Sequence, residues 1–512
     1  MDRRQFLRRA VITGAGGAVL PTIAMAGGPA GAQTAAPGDG PYGPLATEPD
    51  ENGLLLPEGF TSRIVAVAGE PVAGTDYVWP IFPDGAATFE TPDGGWIHTV
   101  NSEVFDFVLP ASGGVSAVRY DKDGEIVDAY PILTGSTSNC AGGPTPWGTW
   151  LSCEEDFAGL GRVFECDPTG ERDAVAHPAM GLCTHEAVAV HEPSETLYLT
   201  EDNAASVLFR YTPTAYPDLS AGLLEAATVA SDGSVTWAEV PDPSAATTPL
   251  REQVPGATTF PGAEGIWCHE DTIYFTTKID HSVHAIDVVA GTYELVWKGD
   301  PDGLGIEGAV LSGVDNITVD AGTGDLFVAE DGGNMEVVVI SAEGEVAPFA
   351  RITGADHEGS EVTGPCFNPA RDRLYFSSQR GPSSKTMAET LPGAGGEGFG
   401  IGVTYEVTGP FRGRVVPGSE DDGGETPNPS TTLANAGNGP AEGGDSPDAG
   451  SDGDGDGDDG SSVTPLVIGG LVVGAAAGAV LALRNRNGGA ASSAAFSEGE
   501  ADPSGDGGGP AD

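Results

Sequence analysis

The stretch NCAGGPTPWGTWLSCEED, running from Asn139 to Asp156, sets one thiol, Cys140, ahead of three consecutive acids, Glu154, Glu155 and Asp156. Thiolates are soft metal ligands and carboxylates hard ones, so the combination suits cations of more than one kind. Similar groups recur along the chain. Asn101 and Glu103, Glu201 and Asp202, and Glu330 and Asp331 close short apolar runs; Glu186, Glu264, Asp315 with Asn316, and Glu361 open others. Collected in one place as bare carboxylates, these acids would repel and raise one another's pKa. Metal cations are the natural compensation, and oxygen ligands favour calcium-type ions. Two runs end differently, in Thr277-Lys278 and in Ser378-Gln379-Arg380. Opposite a metal cluster, Lys278 and Arg380 suit an anionic substrate such as phosphate. For each, a salt bridge to a neighbouring element is the alternative.

The elements that position these groups read as β-strands throughout. From Leu54 to Val416 short runs of Val, Ile, Tyr, Phe and Trp alternate with Gly, Pro, Asp and Asn, without a long amphipathic helix. One signature recurs: WIHTVNSE from Trp96, WLSCEED from Trp150, LYLTEDN from Leu197, IYFTTKI from Ile273, LFVAEDG from Leu326 and LYFSSQR from Leu374. The spacing is about 50 residues, the period of propeller blades, with one longer step between Leu197 and Ile273 that must hold an insertion. A second signature precedes five of these runs: NCAGGP, HEAVAV, GAEGIW, GVDNITV and EVTGPCF. The pattern predicts an all-β, six-bladed β-propeller over residues 54–416. A β-sandwich would not repeat one strand six times. In a propeller the innermost strand of each blade starts near the axis and the next strand returns there, so both acidic sets would meet at one channel mouth.

The two ends read as addresses. Arg3-Arg4, Phe6-Leu7 and a weakly apolar run to Ala24-Met25-Ala26 make residues 1–33 a twin-arginine signal peptide, handled by the twin-arginine translocase, which moves folded proteins. Residues 34–53 read as a linker. Residues 417–462 are a disordered Asp/Gly-rich stalk whose DGDGDGDDG run extends by self-repulsion. Residues 463–483 read as a transmembrane helix, uncharged from Pro465 to Leu483, followed by Arg484 and Arg486 and an acidic cytoplasmic tail, 484–512. The expected protein is therefore exported and anchored in the cytoplasmic membrane with its propeller outside. The formal charge of −54 excludes nucleic acid as a partner. Acid spread over the whole chain suits a halophilic source, an archaeon. Six cysteines in an exported chain permit disulfides without fixing any pairing.

The first cysteine stretch, together with HEAVAVHEPSETLYLTEDN, VDNITVDAGTGDLFVAEDGG and EVTGPCFNPARDRLYFSSQRG, resembles the PhoX-type alkaline phosphatase family over the whole folded body. The resemblance implies twin-arginine export, an axial cluster of Fe3+ and Ca2+, and hydrolysis of phosphate monoesters. Carried over, Cys140 would hold iron and also serve as a catalytic residue. Glu154, Glu155, Glu186, Glu201, Glu264, Asp315 and Glu361 would hold iron or calcium, and Glu103, Asp202 and Glu330 join the expected metal set. Lys278 and Arg380 are the expected groups for substrate phosphate. Asn101-Ser102-Glu103 departs from the family's Asn-His-Glu. Gly142, Gly143 and Pro144 would form a sharp turn delivering the thiol to the axis. His185 is read as orienting Glu186 or as structural, His281 and His284 as surface residues, and Trp147 and Trp150 as packing. Two other functions fit the same architecture: a calcium-dependent propeller lactonase or other hydrolase, which needs fewer acids and no axial thiol, and a non-catalytic binding propeller with metals kept for stability.

Overall fold

Alternation of β-branched and aromatic residues with turn-forming Gly, Asp and Asn produces, among the described residues, six sheets whose blade strands pair antiparallel. The computed structural model describes residues 35–415, except 107, 301–308, 358, 384–385 and 387–399. The expected signal peptide, stalk, membrane span and tail lie outside the described residues. Among the described residues no helix is long and apolar enough to cross a membrane.

Blade one comprises Pro83–Glu90, Trp96–Ser102, Gly113–Tyr120 and Ile126–Ser136; blade two, Asn139–Pro144, Trp150–Glu154, Val163–Cys166 and Val175–Ala176. Blade three has five strands, His185–His191, Thr196–Glu201, Phe209–Ala215, Asp218–Val229 and Val235–Glu239. Its fifth strand and the connection through Leu250–Glu252 are the insertion expected between Leu197 and Ile273. Blade four is Ala263–His269, Thr272–Thr277, Ser282–Asp287 and Thr292–Lys298; blade five, Val314–Asp320, Asp325–Glu330, Glu336–Ile340 and Glu345–Ile352. Blade six takes Val362–Phe367, Arg373–Ser378 and Val403–Thr408 from the C-terminal end and its outermost strand, Thr61–Val67, from the N-terminal end. The six inner strands pack in sequence, and the sixth returns to the first. Pairing of Val403 with Val67 and Thr404 with Ala66 therefore closes the ring and removes two sheet edges.

The expected linker requires correction. Ala36–Pro37 pairs in parallel with Glu345 and Val346, and Leu54–Leu55 pairs with Ile352 and Arg351, so this segment is laid along blade five. Its Tyr42 joins an aromatic cluster between blades five and six, edge-to-face with Phe60, Phe349 and Phe411 and tilted against Phe327. Burial of that many rings holds the segment down.

All six inner strands share one irregularity. Each slips register against its neighbour, at Asp84-Gly85, Cys140-Ala141, Glu186-Ala187, Glu264-Gly265, Asp315-Asn316 and Gly364-Pro365. A bulge re-aims the side chain at that point, and in five blades that side chain is Asp84, Cys140, Glu186, Glu264 or Asp315. Bonds between blades fix the bulges. Asn101 Nδ2 donates to Cys140 O and Ala141 O at 3.2 and 2.8 Å. Thr200 Oγ1 donates to Glu264 O, Thr276 Oγ1 to Asp315 O and Thr363 Oγ1 to Pro83 O.

Gly142 and Gly143 lie inside a strand and have no left-handed φ, so they do not make the expected turn. They are needed for close approach: a Cβ at 142 would strike Leu151 O, and one at 143 would strike Val188 O of blade three. Those obstacles are backbone and cannot rotate away. Gly143→Ala should therefore destabilise the fold by about 1–3 kcal/mol, read as a lower thermal midpoint, and a wild-type midpoint would refute the packing argument.

Candidate metal centre

At the end of each second strand stand two consecutive residues, and alternation along an extended chain sends them to opposite sides. The second of each pair faces the axis: Glu103, Glu155, Asp202, Lys278, Asp331 and Gln379. The first turns back into its own blade. Ser102 donates to Ile81 O. Glu154 accepts from Ser136 Oγ at 2.7 Å and from Arg162 Nε at 2.9 Å and Nη2 at 3.1 Å. Glu201 is held by Arg251 at 2.5 Å. Thr277 bonds Asp280 and His284, Glu330 accepts from the Ser312 and Glu336 amides at 3.0 and 3.3 Å, and Ser378 bonds His357 and Ser360.

The axial members and the bulge side chains form one continuous set of donors. Four groups have ligand atoms lying within 4.8 Å of one another: Asp84, Glu103 and Cys140; Cys140, Glu155 and Glu186; Glu186, Glu264 and Asp315; Asp315, Asp331 and Glu361. Cys140, Glu186 and Asp315 each belong to two groups, so nine residues make a chain of sites around the axis, and all are buried. Cys140 Sγ donates to Glu186 Oε1 at 3.1 Å. Blade six breaks register: Thr363 takes the place of the acid, and Glu361 supplies the carboxylate from two residues earlier.

Neutral and cationic residues occupy defined arcs. Gln379 Nε2 donates to Asp84 Oδ2 and, at 2.7 Å, to Glu103 Oε2, tying blade six to blade one. Asp84 Oδ1 is left without a hydrogen bond. Lys278 is buried between Asp202, at 2.6 Å, and Glu264. Arg380 reaches Glu361 at 3.0 Å, with 23% of its side chain exposed. Of the two cations expected to meet phosphate, Lys278 is clamped by two carboxylates, and Arg380 keeps access to solvent.

Burial dominates the electrostatics. It pushes Asp84 well above the ordinary carboxyl range, assisted by Glu103 and Asp315. It raises Asp315, assisted by Glu361 and Asp331, and raises Glu264 against the opposing charge of Lys278. Burial, then Asp84 and Glu186, raises the Cys140 thiol. A buried set of carboxyls, of which Asp84, Glu264 and Asp315 are pushed toward their protonated forms, with one soft donor and with Asp84 Oδ1 lacking any hydrogen bond, fits multivalent cations in chemistry and burial.

Of the expected metal residues, Cys140, Glu103, Glu155, Glu186, Glu264, Asp315 and Glu361 come together. Asp202 lies beside them on Lys278. Glu154, Glu201 and Glu330 are corrected: strand alternation turns them to Arg162, Arg251 and the backbone. One donor was missing from the expected acids: Asp84 lies in PDGAATFE, the sixth copy of the inner-strand signature, recognisable by its place before Trp96. Asp331, expected at the mouth but not named as a ligand, takes the place of Glu330 through the same alternation. His185 bonds Gly181 O at 2.9 Å, with Cys183 on its other nitrogen, and does not orient Glu186. His281 and His284 are buried, contrary to the surface reading, and His284 bonds Thr277 and Tyr293. Trp150 is buried and donates to Asn101 Oδ1 at 2.8 Å; half-buried Trp147 donates to Glu165. The six cysteines are free.

The sequence profile described as alkaline phosphatase PhoX matches residues 105–292 and 294–381, more than half of the chain. No curated protein matches. Among solved structures, the fold is similar to that of Pseudomonas fluorescens PhoX in complex with vanadate, a transition state analogue, with a TM-score of 0.56 and 18% identity over 72% of this chain and 97% of that one. A gluconolactonase from Xanthomonas campestris, XC5397, aligns with a TM-score of 0.39 and 14% identity over 72% of this chain and 99% of that one. The chain belongs to the PhoX alkaline phosphatase family.

Proposed function

We propose that this protein hydrolyses phosphate monoesters outside the cytoplasm, using cations held in the axial cluster. The observation that carries this reading is the unbroken run of nine buried donors, including one thiol, in a propeller of this family. Iron and calcium are the cations that the sequence resemblance implies. Cys140 with Asp84, Glu103, Glu155 and Glu186 offers the softer end; Glu264, Asp315, Asp331 and Glu361 offer oxygen alone. Cations bound there would supply Lewis acidity toward a phosphoryl oxygen and offset the charge of the transferring group.

The chain's own residues have separable tasks. Gln379 holds the inner oxygens of Asp84 and Glu103 in place. Lys278 offsets one negative charge between Asp202 and Glu264, limiting the charge that cations must offset. Arg380, partly exposed and fixed by Glu361, is placed to meet a phosphoryl oxygen with its planar donors. Export is supported by the Arg3-Arg4 leader and the uncharged run from Pro465 to Leu483.

Iron and calcium content, measured with turnover of p-nitrophenyl phosphate in high salt, tests the whole reading. Absence of turnover from protein that contains its metals would sink it. Glu155→Gln should release metal and reduce turnover at least tenfold, consistent with the loss of a ligand's support. Glu154→Gln should retain metal and lower the thermal midpoint by loosening Arg162. The opposite pattern would overturn the assignment of which neighbour faces the axis.

The raised carboxyls also give a pH signature. Without cations, the folded protein keeps protons on Asp84, Glu264 and Asp315 that the unfolded chain releases near pH ~4. Stability must then fall as pH rises above that value. Chelator-treated protein should melt lower at pH 8 than at pH 5, and added calcium should narrow the difference; a flat or inverted profile would contradict the electrostatics.

A further inference from the structure

Two turns at the channel mouth carry apolar side chains that the metal chemistry does not use. Phe105 follows Glu103 by two residues, and Phe157 follows Glu155 by two, so each Cα lies within about 7 Å of the Cα of a cluster carboxylate. The turns are bound side by side: Ser138 N donates to Val104 O at 2.9 Å, Glu155 N to Ser138 O at 2.8 Å, and Asp106 N to Thr137 Oγ1 at 3.1 Å. The Phe105 and Phe157 rings stack, with centroids 5.6 Å apart and planes 20° from parallel.

Phe157 is 49% exposed, the one aromatic among the exposed large hydrophobic side chains of the described residues. Leu160 on its own turn is 54% exposed, and Leu109 on the Phe105 turn is 40% exposed. Grouped apolar exposure at the rim of a buried polar site differs from single scattered residues and marks a place where something apolar is received. Its charge surroundings narrow the class. Asp106 and Asp156 stand beside the rings and would repel further anionic groups, whereas the partly exposed Arg380 stands on blade six, across the seam from blade one.

Resting on the phosphatase reading, we propose that the stacked pair Phe105–Phe157 is the leaving-group subsite, which selects phosphate monoesters of neutral aromatic or apolar alcohols. The phosphoryl group lies toward the cluster and Arg380, and the organic group packs against the exposed part of Phe157. The pair acts on specificity, through contact with the part of the substrate that does not react.

The test compares benzyl phosphate with glycerol 3-phosphate on the metal-loaded enzyme. Both release an alkoxide from a primary carbon, so the comparison reports the ring and not an activated leaving group. Phe157→Ala should lower the ratio of kcat/KM for benzyl over glycerol phosphate by about three- to tenfold, the range of one aromatic contact, mainly through KM, and Phe157→Tyr should restore it. An unchanged ratio would overturn the subsite while continued turnover left the phosphatase reading standing. Calorimetric affinity for benzylphosphonate against methylphosphonate provides a readout independent of turnover. Phe157→Ala should erase any preference for the benzyl compound, so if wild-type enzyme turned over neither ester, loss of that preference would still support the subsite and its absence would overturn it. Phe157-dependent adsorption to phosphatidylcholine vesicles, with equal phosphonate affinities, would assign the patch to a lipid surface and overturn the proposal.

Discussion

Eight carboxyl groups and a thiol buried around one axis are the constraint to which the rest of this molecule answers. Ionised carboxylates are far too costly to bury without compensation. The protein supplies part of that compensation itself, through Lys278, Arg380 and the amide of Gln379. That falls short for eight carboxyls: Asp84, Glu264 and Asp315 are pushed toward their protonated forms, to which a bound cation is the alternative. Multivalent ions would satisfy such a site without a proton.

Holding so many like groups together requires a rigid frame. The frame comes from a bulge repeated in every inner strand; in blades one, two, four and five carbonyls at or beside it accept hydrogen bonds from the blade before. Glycines in the bulges let neighbouring inner strands approach closely: a Cβ at Gly85 would strike Ala141, one at Gly265 the backbone of Asn316 and Ile317, and one at Gly364 Asp84 O. The ring is also closed twice at one seam. Thr61–Val67 completes blade six by backbone pairing, and Gln379 reaches from blade six to Asp84 and Glu103 of blade one. The first donor group therefore depends on ring closure, whereas the donors of blades two to five are set by adjacent blades in chain order.

Much of this was legible in sequence because a propeller repeats. Six copies of one strand signature gave the blade number, and the placement of acids at the ends of those strands gave the mouth. Asp84 was missed because its strand, PDGAATFE, has a proline, a glycine and few large apolar residues, a weak β-signal taken alone. Residues 34–53 were misread as a linker because strands of two residues leave no periodicity to detect. Backbone pairing with blade five and the aromatic cluster that Tyr42 enters hold that segment in place.

The sequence by itself determined the all-β repeat, the acidic excess, the thiol and the approximate places where acids end strands. These are matters of residue type and period, which local chemistry imposes. Tertiary structure alone decided which acid of each pair meets the axis. Glu154 and Glu155 are chemically alike, as are Glu330 and Asp331 in charge, and no composition separates them. The choice rests on the register of each strand against its neighbour, which a slip of one residue would reverse. The same holds for Lys278: its charge was evident from the sequence, but its two carboxylate partners come from different blades and meet only when the ring is assembled.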